Sequence, residues 1–197
     1  MLLDVWRNVR LALVAFVLFG IVYSLVVLGI GQIAFPYQAQ GSLVRRGGVV
    51  IGSQLIGQNV TSLALFHGRP SATTNPVTGK PEPYAANNSG GSNLGPTNAA
   101  LVQEVRQNIA AIRPMTGGAR IPANLVESSG SGLDPEITLQ AALVQVPEIA
   151  RRTGIPAHRL DALVMKEAEA PILGMYGPWR VNVLQLNLAL KGLEKSR

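Results

Sequence analysis

The stretch from Leu11 to Ile33 contains about 23 residues and no charged side chain. As an α-helix it would extend roughly 34 Å, which is enough to cross the ~30 Å hydrocarbon core of a bilayer. A helix is the one isolated segment that can do so, because it satisfies its own backbone hydrogen bonds where water is absent. The apolar part of a cleaved signal peptide is shorter, about 7–15 residues. The sequence therefore predicts a single membrane-spanning helix over residues 11–33.

Positive charges on the two sides of this span are nearly balanced. Arg7 and Arg10 precede it, and two more arginines follow about a dozen residues beyond it, at positions 45 and 46. The positive-inside rule gives a slight preference for a cytoplasmic N-terminus. We therefore expect a cytoplasmic segment over 1–10, a juxtamembrane linker over 34–46 and an extracytoplasmic domain over 47–197.

Gly20 and Ser24 place two small side chains four residues apart on one face of the predicted span. Such pairs allow two helix backbones to approach closely in lipid, although apolar helices also contain them by chance. We expect this face to pack against another membrane helix. An ion pathway would normally need a buried carboxylate or basic group, and the span has neither.

The chain has a formal net charge of +6 and no cysteine. Its arginines are scattered, with no run of five or more, which is more typical of a solvated face or of attraction to lipid headgroups than of a nucleic-acid-binding stripe. We therefore predict membrane lipid, and no nucleic acid, as a partner. A domain of ~150 residues can bury a core without disulfides, so the lack of cysteine fits either side of the membrane.

Apolar spacing predicts a series of helices after the span. A helix capped by Thr97 or Asn98 is expected to stop before Pro114, because proline cannot donate a backbone hydrogen bond. Thr138 is expected to cap a second helix, which kinks or restarts at Pro147. Residues 68–98 are rich in Gly, Pro, Ser, Thr and Asn, and are either a disordered linker or a functional loop. Composition favours the linker, but segments 68–70 and 89–98 are too varied for a low-complexity spacer.

Further signals complete the prediction of an α+β fold. Gly154 is a natural residue to end the second helix, and Pro156 can begin another. Three short extended pieces are predicted, two as strands and one as a connecting segment: Val49–Ile51, Arg180–Val183 and Asn124–Glu127. An apolar helix over 184–193 follows. The expected architecture is one N-terminal membrane helix followed by one mixed domain.

Motifs for autonomous catalysis are missing. Gly79–Lys80 lacks the remainder of a phosphate-binding loop, and Ser131 lacks the glycine that a nucleophile elbow requires. With no cysteine, and with His67 and His158 in unrelated segments, no metal site is predicted. Asp134 precedes proline in a glycine-rich turn and has no evident partner, so a turn or cap role is favoured. We predict no catalytic residue.

Two other interpretations concern binding. Residues 145–160 have the helix, turn, helix rhythm of a DNA-binding motif, which would indicate a membrane-anchored regulator. Carboxylates in the second helix would repel phosphates, so a packed helical hairpin is favoured.

Backbone amides in the turns 89–92 and 128–132 can form phosphate-binding nests, but glycine more often serves backbone geometry. An extracytoplasmic hydrolase is a further alternative.

Six blocks of the sequence together resemble the C subunit of the Kdp potassium-transporting P-type ATPase. They are Gly52–Gln58, Phe66–Ala72, Ser89–Asn98, Ser129–Pro135, Gln145–Pro147 and Arg180–Leu184. Their order and spacing match the family over essentially the whole chain, and the individual positions that match are Gly68, Arg69, Pro70, Asn93, Asp134 and Asn182. Glu136, where the family often has histidine, and residues 166–170 depart from the pattern.

The resemblance implies a non-catalytic subunit of a high-affinity, ATP-driven potassium uptake complex in the bacterial inner membrane. Its partners would be a channel-like potassium-binding subunit and a P-type ATPase subunit. The family is held to support assembly and, in one proposal, to act as a catalytic chaperone that raises the ATP affinity of the ATPase subunit. In that proposal the nucleotide-contacting positions would be Gln145, Ser89, Gly90, Gly91 and Ser92. With the N-terminus inside, these residues would lie across the bilayer from cytoplasmic ATP, so we expect mainly a structural role.

Overall fold

The computed structural model describes residues 2–195, with the side chains of 3–195, and divides the chain between Ile51 and Gly52 into two compact units. The N-terminal unit begins with three consecutive helical segments: α1 (Leu2–Ala15), a π-helical segment (Phe16–Val22) and α2 (Tyr23–Ala34). A short helix α3 (Pro36–Ala39) and a hairpin of β1 (Leu43–Arg46) and β2 (Val49–Ser53) follow.

Within the described part of the chain, one helix is long and apolar enough to cross a membrane, and it covers Leu3–Ala34. It starts earlier than the stretch predicted from charge alone. Its first turns carry polar and charged side chains at helical spacing. The Arg10 guanidinium lies 5.0 Å from the centre of the Trp6 ring, and Arg7 pairs with Asp4 at 3.9 Å. These contacts accompany the continuation of the helix beyond the apolar stretch.

The C-terminal unit mixes helices with one small sheet, which confirms the predicted α+β class. Its helices are α4 (Ala99–Thr116), α5 (Leu139–Leu143), α6 (Val146–Thr153), α7 (Ala157–Glu167) and α8 (Val183–Lys195). Its strands are β3 (Glu136–Thr138), β4 (Ala168–Glu169) and β5 (Arg180–Asn182), ordered β3-β5-β4 and antiparallel. Val181 at the centre of this sheet pairs with Ile137 and Ala168 and is fully buried.

Several predicted helix ends are confirmed. Asn98 caps α4 by accepting a hydrogen bond from the backbone N–H of Ala100, and Thr138 caps α5 by accepting one from Ala141. The helix restarts as predicted, with Pro147 in the first turn of α6, where a missing N–H costs nothing. Gly154 ends α6 in the left-handed conformation, with φ of 69°.

Three predictions of local structure were wrong. Helix α4 continues through Pro114 to Thr116, since proline interrupts only one hydrogen bond and Ile112 and Met115 on either side are buried in the core. The segment Asn124–Glu127 was predicted as extended, but a 3₁₀ turn forms over Ala123–Leu125 and buries Leu125. The last strand ends at Asn182, and α8 begins one residue earlier than expected.

The prediction of a disordered linker over residues 68–98 was also wrong. The Thr73 hydroxyl donates to the Glu82 carbonyl at 2.6 Å and accepts from the Ala85 N–H at 3.0 Å. The Asn88 side chain donates to the Thr74 carbonyl at 2.7 Å. Thr73 and Ala85 are buried. Polar side chains replace regular backbone pairing here, so a composition typical of linkers builds an ordered loop.

Candidate functional site

Two side-chain amides hold the backbone of Phe66 and His67. The Phe66 N–H donates to Asn187 Oδ1 at 2.8 Å, and Asn187 Nδ2 donates back to the Phe66 carbonyl at 2.9 Å. The His67 N–H donates to Gln145 Oε1 at 2.8 Å, and Gln145 Nε2 donates to the His67 carbonyl at 3.1 Å. We call these four hydrogen bonds the amide clamp.

Burial explains why carboxamides occupy these positions. Phe66 and Gln145 are 0% exposed and Asn187 is 7% exposed. Buried peptide groups need partners, and residues 66–67 lie in no strand that could supply them. A side-chain carboxamide accepts a hydrogen bond through its C=O and donates one through its N–H, which is the pair of bonds that a neighbouring strand would supply. Asn187 comes from α8 and Gln145 from the start of α6, so the clamp joins two helices to this segment.

Arg69 and Asp134 form an ion pair next to the clamp. Arg69 Nη1 lies 3.2 Å from Asp134 Oδ2, and Arg69 Nη2 donates to the Ser128 carbonyl at 3.3 Å. The other oxygen of Asp134 accepts the Glu136 N–H at 3.0 Å, so the turn role predicted for Asp134 is present together with an ionic partner. The Tyr84 hydroxyl donates to the Arg69 carbonyl at 2.6 Å.

Burial, reinforced by the Asp134 carboxylate, raises the pKa of Tyr84 to about 12, and the Arg69 charge opposes this shift only in part. Tyr84 therefore remains protonated at neutral pH and serves as a donor.

The two glycine-serine segments of the sequence pack directly on each other. The Gly90 N–H and the Ser89 hydroxyl both donate to the Ser131 carbonyl, at 2.9 and 3.0 Å. A Cβ on Gly132 would lie 2.5 Å from the Gly90 carbonyl oxygen, and Gly132 has φ of +66°. A Cβ on Gly91 would lie 3.0 Å from the Gly130 carbonyl oxygen. Small residues are thus needed for this close backbone approach.

A cavity of about 370 Å³ opens beside the ion pair. Polar side chains of several segments line it, among them His67, Arg69, Tyr84, Gln58 and Asn108, together with apolar Ile112 and Leu125. Within the described residues, His67 Nε2 and Arg69 Nε are buried side-chain atoms without a hydrogen-bond partner. Burial lowers the pKa of His67, against the effect of the Ser62 carbonyl, so its ring is neutral at neutral pH.

The two departures from the family pattern meet in space. Arg180 Nε lies 3.1 Å from Glu136 Oε1, and Arg180 Nη2 lies 2.7 Å from Glu169 Oε2. The three residues sit on the adjacent strands β3, β5 and β4. Burial raises the pKa of Glu136, although the Arg180 charge opposes the shift. A carboxylate at 136 therefore has a basic partner on the neighbouring strand.

Of the remaining predicted positions, Gly68 and Pro70 lie at the same cavity, whereas Asn93 and Asn182 are not among its lining residues. A Cβ on Gly68 would lie 2.9 Å from the Tyr84 hydroxyl, and Pro70 lines the cavity. Asn93 is exposed with a positive φ of 53°. Asn182 donates to the Gln54 carbonyl at 2.8 Å and accepts from the Gln185 N–H at the start of α8.

Gly20 and Ser24 interact within the N-terminal helix. The Ser24 hydroxyl donates to the Gly20 carbonyl at 2.9 Å, and the Phe16 ring lies 3.6 Å from the position a Cβ on Gly20 would take. Gly20 belongs to the π-helical segment. Packing of this face against a second helix stays a prediction.

Sequence reasoning missed Asn187, Tyr84 and Ser71. Asn187 interrupts the apolar face of α8, between Leu186 and Leu190, and a lone amide there signals a buried hydrogen bond. The Ser71 hydroxyl donates to the Gly132 carbonyl at 2.7 Å and accepts from the Tyr84 N–H at 2.9 Å. Nothing in the local sequence distinguishes Ser71 from other loop serines.

Comparison with known proteins identifies the family. The model of the KdpC family, described as K+-transporting ATPase, c chain, matches residues 5–192. The chain belongs to this family. The potassium-transporting ATPase KdpC subunit of Methylobacterium nodulans is 51% identical over 179 residues, which cover 88% of this chain and 89% of the relative.

Two further relatives bear the same name. The KdpC subunit of Rhodopseudomonas palustris strain CGA009 is 49% identical over 176 residues, covering 87% of this chain and 88% of the relative. That of strain BisB18 is 46% identical over 195 residues, covering 96% and 98%. The resemblance inferred from the six sequence blocks is confirmed.

Proposed function

We propose that this KdpC-family chain is an accessory subunit of an ATP-driven potassium uptake complex of the bacterial inner membrane. Family membership over residues 5–192 carries the proposal, because the relatives are named as potassium-transporting ATPase subunits. Its partners are a channel-like potassium-binding subunit and a P-type ATPase subunit. The helix Leu3–Ala34 supplies the membrane anchor, with its N-terminus in the cytoplasm.

The contacts of the candidate residues support an architectural rather than a catalytic role. Asp134 is engaged by Arg69 and by the Glu136 N–H, and the Ser71 and Ser89 hydroxyls bond to backbone carbonyls. A general base or nucleophile needs an available atom aimed at a substrate. These side chains instead fix loops against one another.

Helix pair α6–α7 supports a packed hairpin over the DNA-binding alternative. Glu148 pairs with both Arg151 and Arg152, at 2.6 and 2.7 Å, which reduces the positive charge that a phosphate backbone would meet. Helix α7 buries Leu160 and Val164 completely.

The proposed effect on ATP affinity has a structural requirement. The Gln145 side-chain amide is hydrogen-bonded to the backbone of His67 and Ala141, and Gln145 is 0% exposed. A direct nucleotide contact through Gln145 would therefore require the amide clamp to open. With the N-terminus in the cytoplasm, the 89–92 loop lies across the bilayer from cytoplasmic ATP, so a nucleotide contact would require the reverse orientation. In that orientation the loop offers an open position at Gly90, where a Cβ has nothing within 4 Å. Gly90→Ala should raise the KM for ATP of the complex if this loop touches nucleotide, whereas Gly95→Ala, at an equally open glycine, should not.

Deletion and co-purification test the main proposal. Cells lacking this chain should fail to grow at limiting potassium, and the full-length chain should restore growth. A tagged full-length chain, extracted in mild detergent, should elute with an ATPase subunit and a channel-like subunit. Normal growth of the deletion strain, or elution of the tagged chain as a monomer from cells that grow normally, would refute the proposal.

A further inference from the structure

The ring of His67 has a buried nitrogen atom without a hydrogen-bond partner. Within the described residues, His67 Nε2 is one of two such side-chain atoms, and the other is Arg69 Nε. Buried polar atoms in folded proteins are almost always hydrogen-bonded, so each exception needs an explanation. A neutral ring leaves one unpaired atom at this position, whereas a protonated ring would add an unpaired N–H donor and a positive charge. The position therefore favours the neutral ring.

The cavity beside the ring offers no carboxylate that could pair with an imidazolium. His67, Arg69 and Tyr84 line this cavity of about 370 Å³ together with uncharged side chains of α4 and of the loop before His67, and none of the described lining residues is Asp or Glu. Tyr84 is protonated, because burial raises its pKa to about 12. The Asp134 carboxylate is already engaged by Arg69 and by the Glu136 N–H.

The backbone around His67 is fixed by other contacts. In the amide clamp, uncharged carboxamides of α6 and α8 hold the N–H and carbonyl groups of Phe66 and His67. A Cβ on Gly68 would lie 2.9 Å from the Tyr84 hydroxyl, so the following residue is closely packed as well. An unpaired buried charge costs more free energy than a typical intramolecular hydrogen bond contributes. A protonated ring is therefore expected to leave its site at the expense of the clamp.

We propose that His67 is an acid-sensitive switch, in which protonation of the ring releases residues 66–67 from the amide clamp. Release exposes the Phe66 side chain, which is fully buried while the clamp is closed. Deprotonation restores the neutral ring and allows the clamp to close again. The switch belongs to the C-terminal unit and needs no companion subunit.

The direction of the pH dependence follows from burial. Burial lowers the pKa of His67 from its ordinary value of 6.5, against the smaller opposing effect of the Ser62 carbonyl. The ring therefore binds a proton more readily in the open segment than in the closed one. The closed state is stable above pH 6.5 and loses stability as pH falls below 6.5 toward the pKa of the closed form.

In the proposed orientation, the C-terminal unit meets the pH of the extracytoplasmic side. The switch would then respond to acid outside the cell, as histidine switches do in other pH-sensing proteins. This consequence alone rests on the proposed function, because the release of residues 66–67 does not depend on orientation.

Hydrogen exchange at single amides, read by NMR on the full-length chain in detergent, tests the switch. Protection factors, which correct for the intrinsic effect of pH on exchange, are compared between about pH 7.5 and pH 5. Protection of the Phe66 and His67 amides should fall at least about threefold relative to the amide of Val181, the buried central residue of the sheet. Unchanged protection at residues 66–67 would overturn the proposal, and so would an equal fall at Val181, which would indicate general loosening by acid.

Two variants isolate the ring, since the chain contains two histidines, His67 and His158. His158→Gln, at an exposed position of α7, should keep the fall in protection and leave one ring signal, that of His67, with a titration midpoint below 6.5. His67→Gln has an uncharged polar side chain and should abolish the fall. An equal fall in both variants, or a ring midpoint at or above 6.5 in His158→Gln, would refute the switch. The measurements on His158→Gln are decisive even where His67→Gln does not fold, because His158→Gln leaves the site unaltered.

Discussion

Asn187 shows how a single buried amide sets local structure. It carries both hydrogen bonds of Phe66 within the amide clamp. Asn187→Ala would leave a buried N–H and a buried carbonyl unpaired, at a cost of roughly 1–3 kcal/mol for each group. We expect urea titration of the detergent-solubilised full chain, followed by circular dichroism, to show this loss. Asn59→Ala, at an exposed asparagine, should leave the midpoint unchanged, and equal midpoints for the two variants would contradict the role assigned to the clamp.

Glu148 provides a prediction with a defined pH dependence. Hydrogen bonds from Arg151 and Arg152 lower the pKa of Glu148 from 4.5 to about 2. A carboxyl whose pKa is lower in the folded state adds stability above its unfolded pKa and loses it as pH falls through the folded value. Glu148→Gln should therefore reduce the urea midpoint at pH 7, and the difference from the unsubstituted chain should shrink between pH 4.5 and pH 2.

The control for this titration is Glu194→Gln, at an exposed site in the last turn of α8. Its difference from the unsubstituted chain should be small throughout the same range. A Glu148→Gln difference that does not change between pH 7 and pH 2 would rule out the ion pairs as its source.

At the scale of elements, the contact between the two glycine-serine loops depends on Gly132. Gly132→Ala would place a Cβ 2.5 Å from both the Gly90 carbonyl oxygen and Thr73 Cγ2, at a φ of +66°. We expect a loss of about 2–4 kcal/mol in the free energy of unfolding, because strain and overpacking add. Gly130→Ala, where a Cβ meets nothing within 4 Å, is the matched control. Similar unfolding curves for both variants would show that the loops do not pack as described.

Helix boundaries were predictable where one residue has a strong local preference. Asn98, Thr138 and Gly154 each act through their own backbone or the next turn, so the signal lies in the local sequence. Pro114 misled the prediction because burial of Ile112 and Met115 outweighs one lost hydrogen bond. The loop over 68–98 misled it because its partners, such as Ser131 and Gly132, lie far away in sequence.

The candidate site was predictable only in part. The six sequence blocks identified Arg69, Asp134 and Gln145 as positions that matter, but not that Arg69 and Asp134 pair or that Gln145 is buried. Pairing across 65 positions has no local signature. Asn187 was detectable in principle, as the amide on the apolar face of α8 between Leu186 and Leu190, yet the identity of its partner was not.

For the whole molecule, the direction of insertion is the property most open to test. The chain has no cysteine, so a single introduced cysteine reports one position cleanly. Lys80→Cys, in an exposed turn, should react with a membrane-impermeant maleimide added to intact cells. Leu3→Cys should react only after permeabilisation, because residues 1–10 are expected inside. The reverse pattern would place the C-terminal unit in the cytoplasm.

The distances along the chain that separate the members of the amide clamp have a consequence for biosynthesis. Asn187, the hydrogen-bond partner of Phe66, lies 121 positions later in the chain, and Gln145, the partner of His67, lies 78 positions later. The ribosome therefore delivers residues 66 and 67 long before their partners exist, and pairing across such separations is slow. A chain truncated before α8 lacks Asn187, so the backbone groups of Phe66 lose their hydrogen-bond partner. Proteases would therefore meet an exposed apolar segment at Phe66 in each incomplete chain and a buried one in each complete chain.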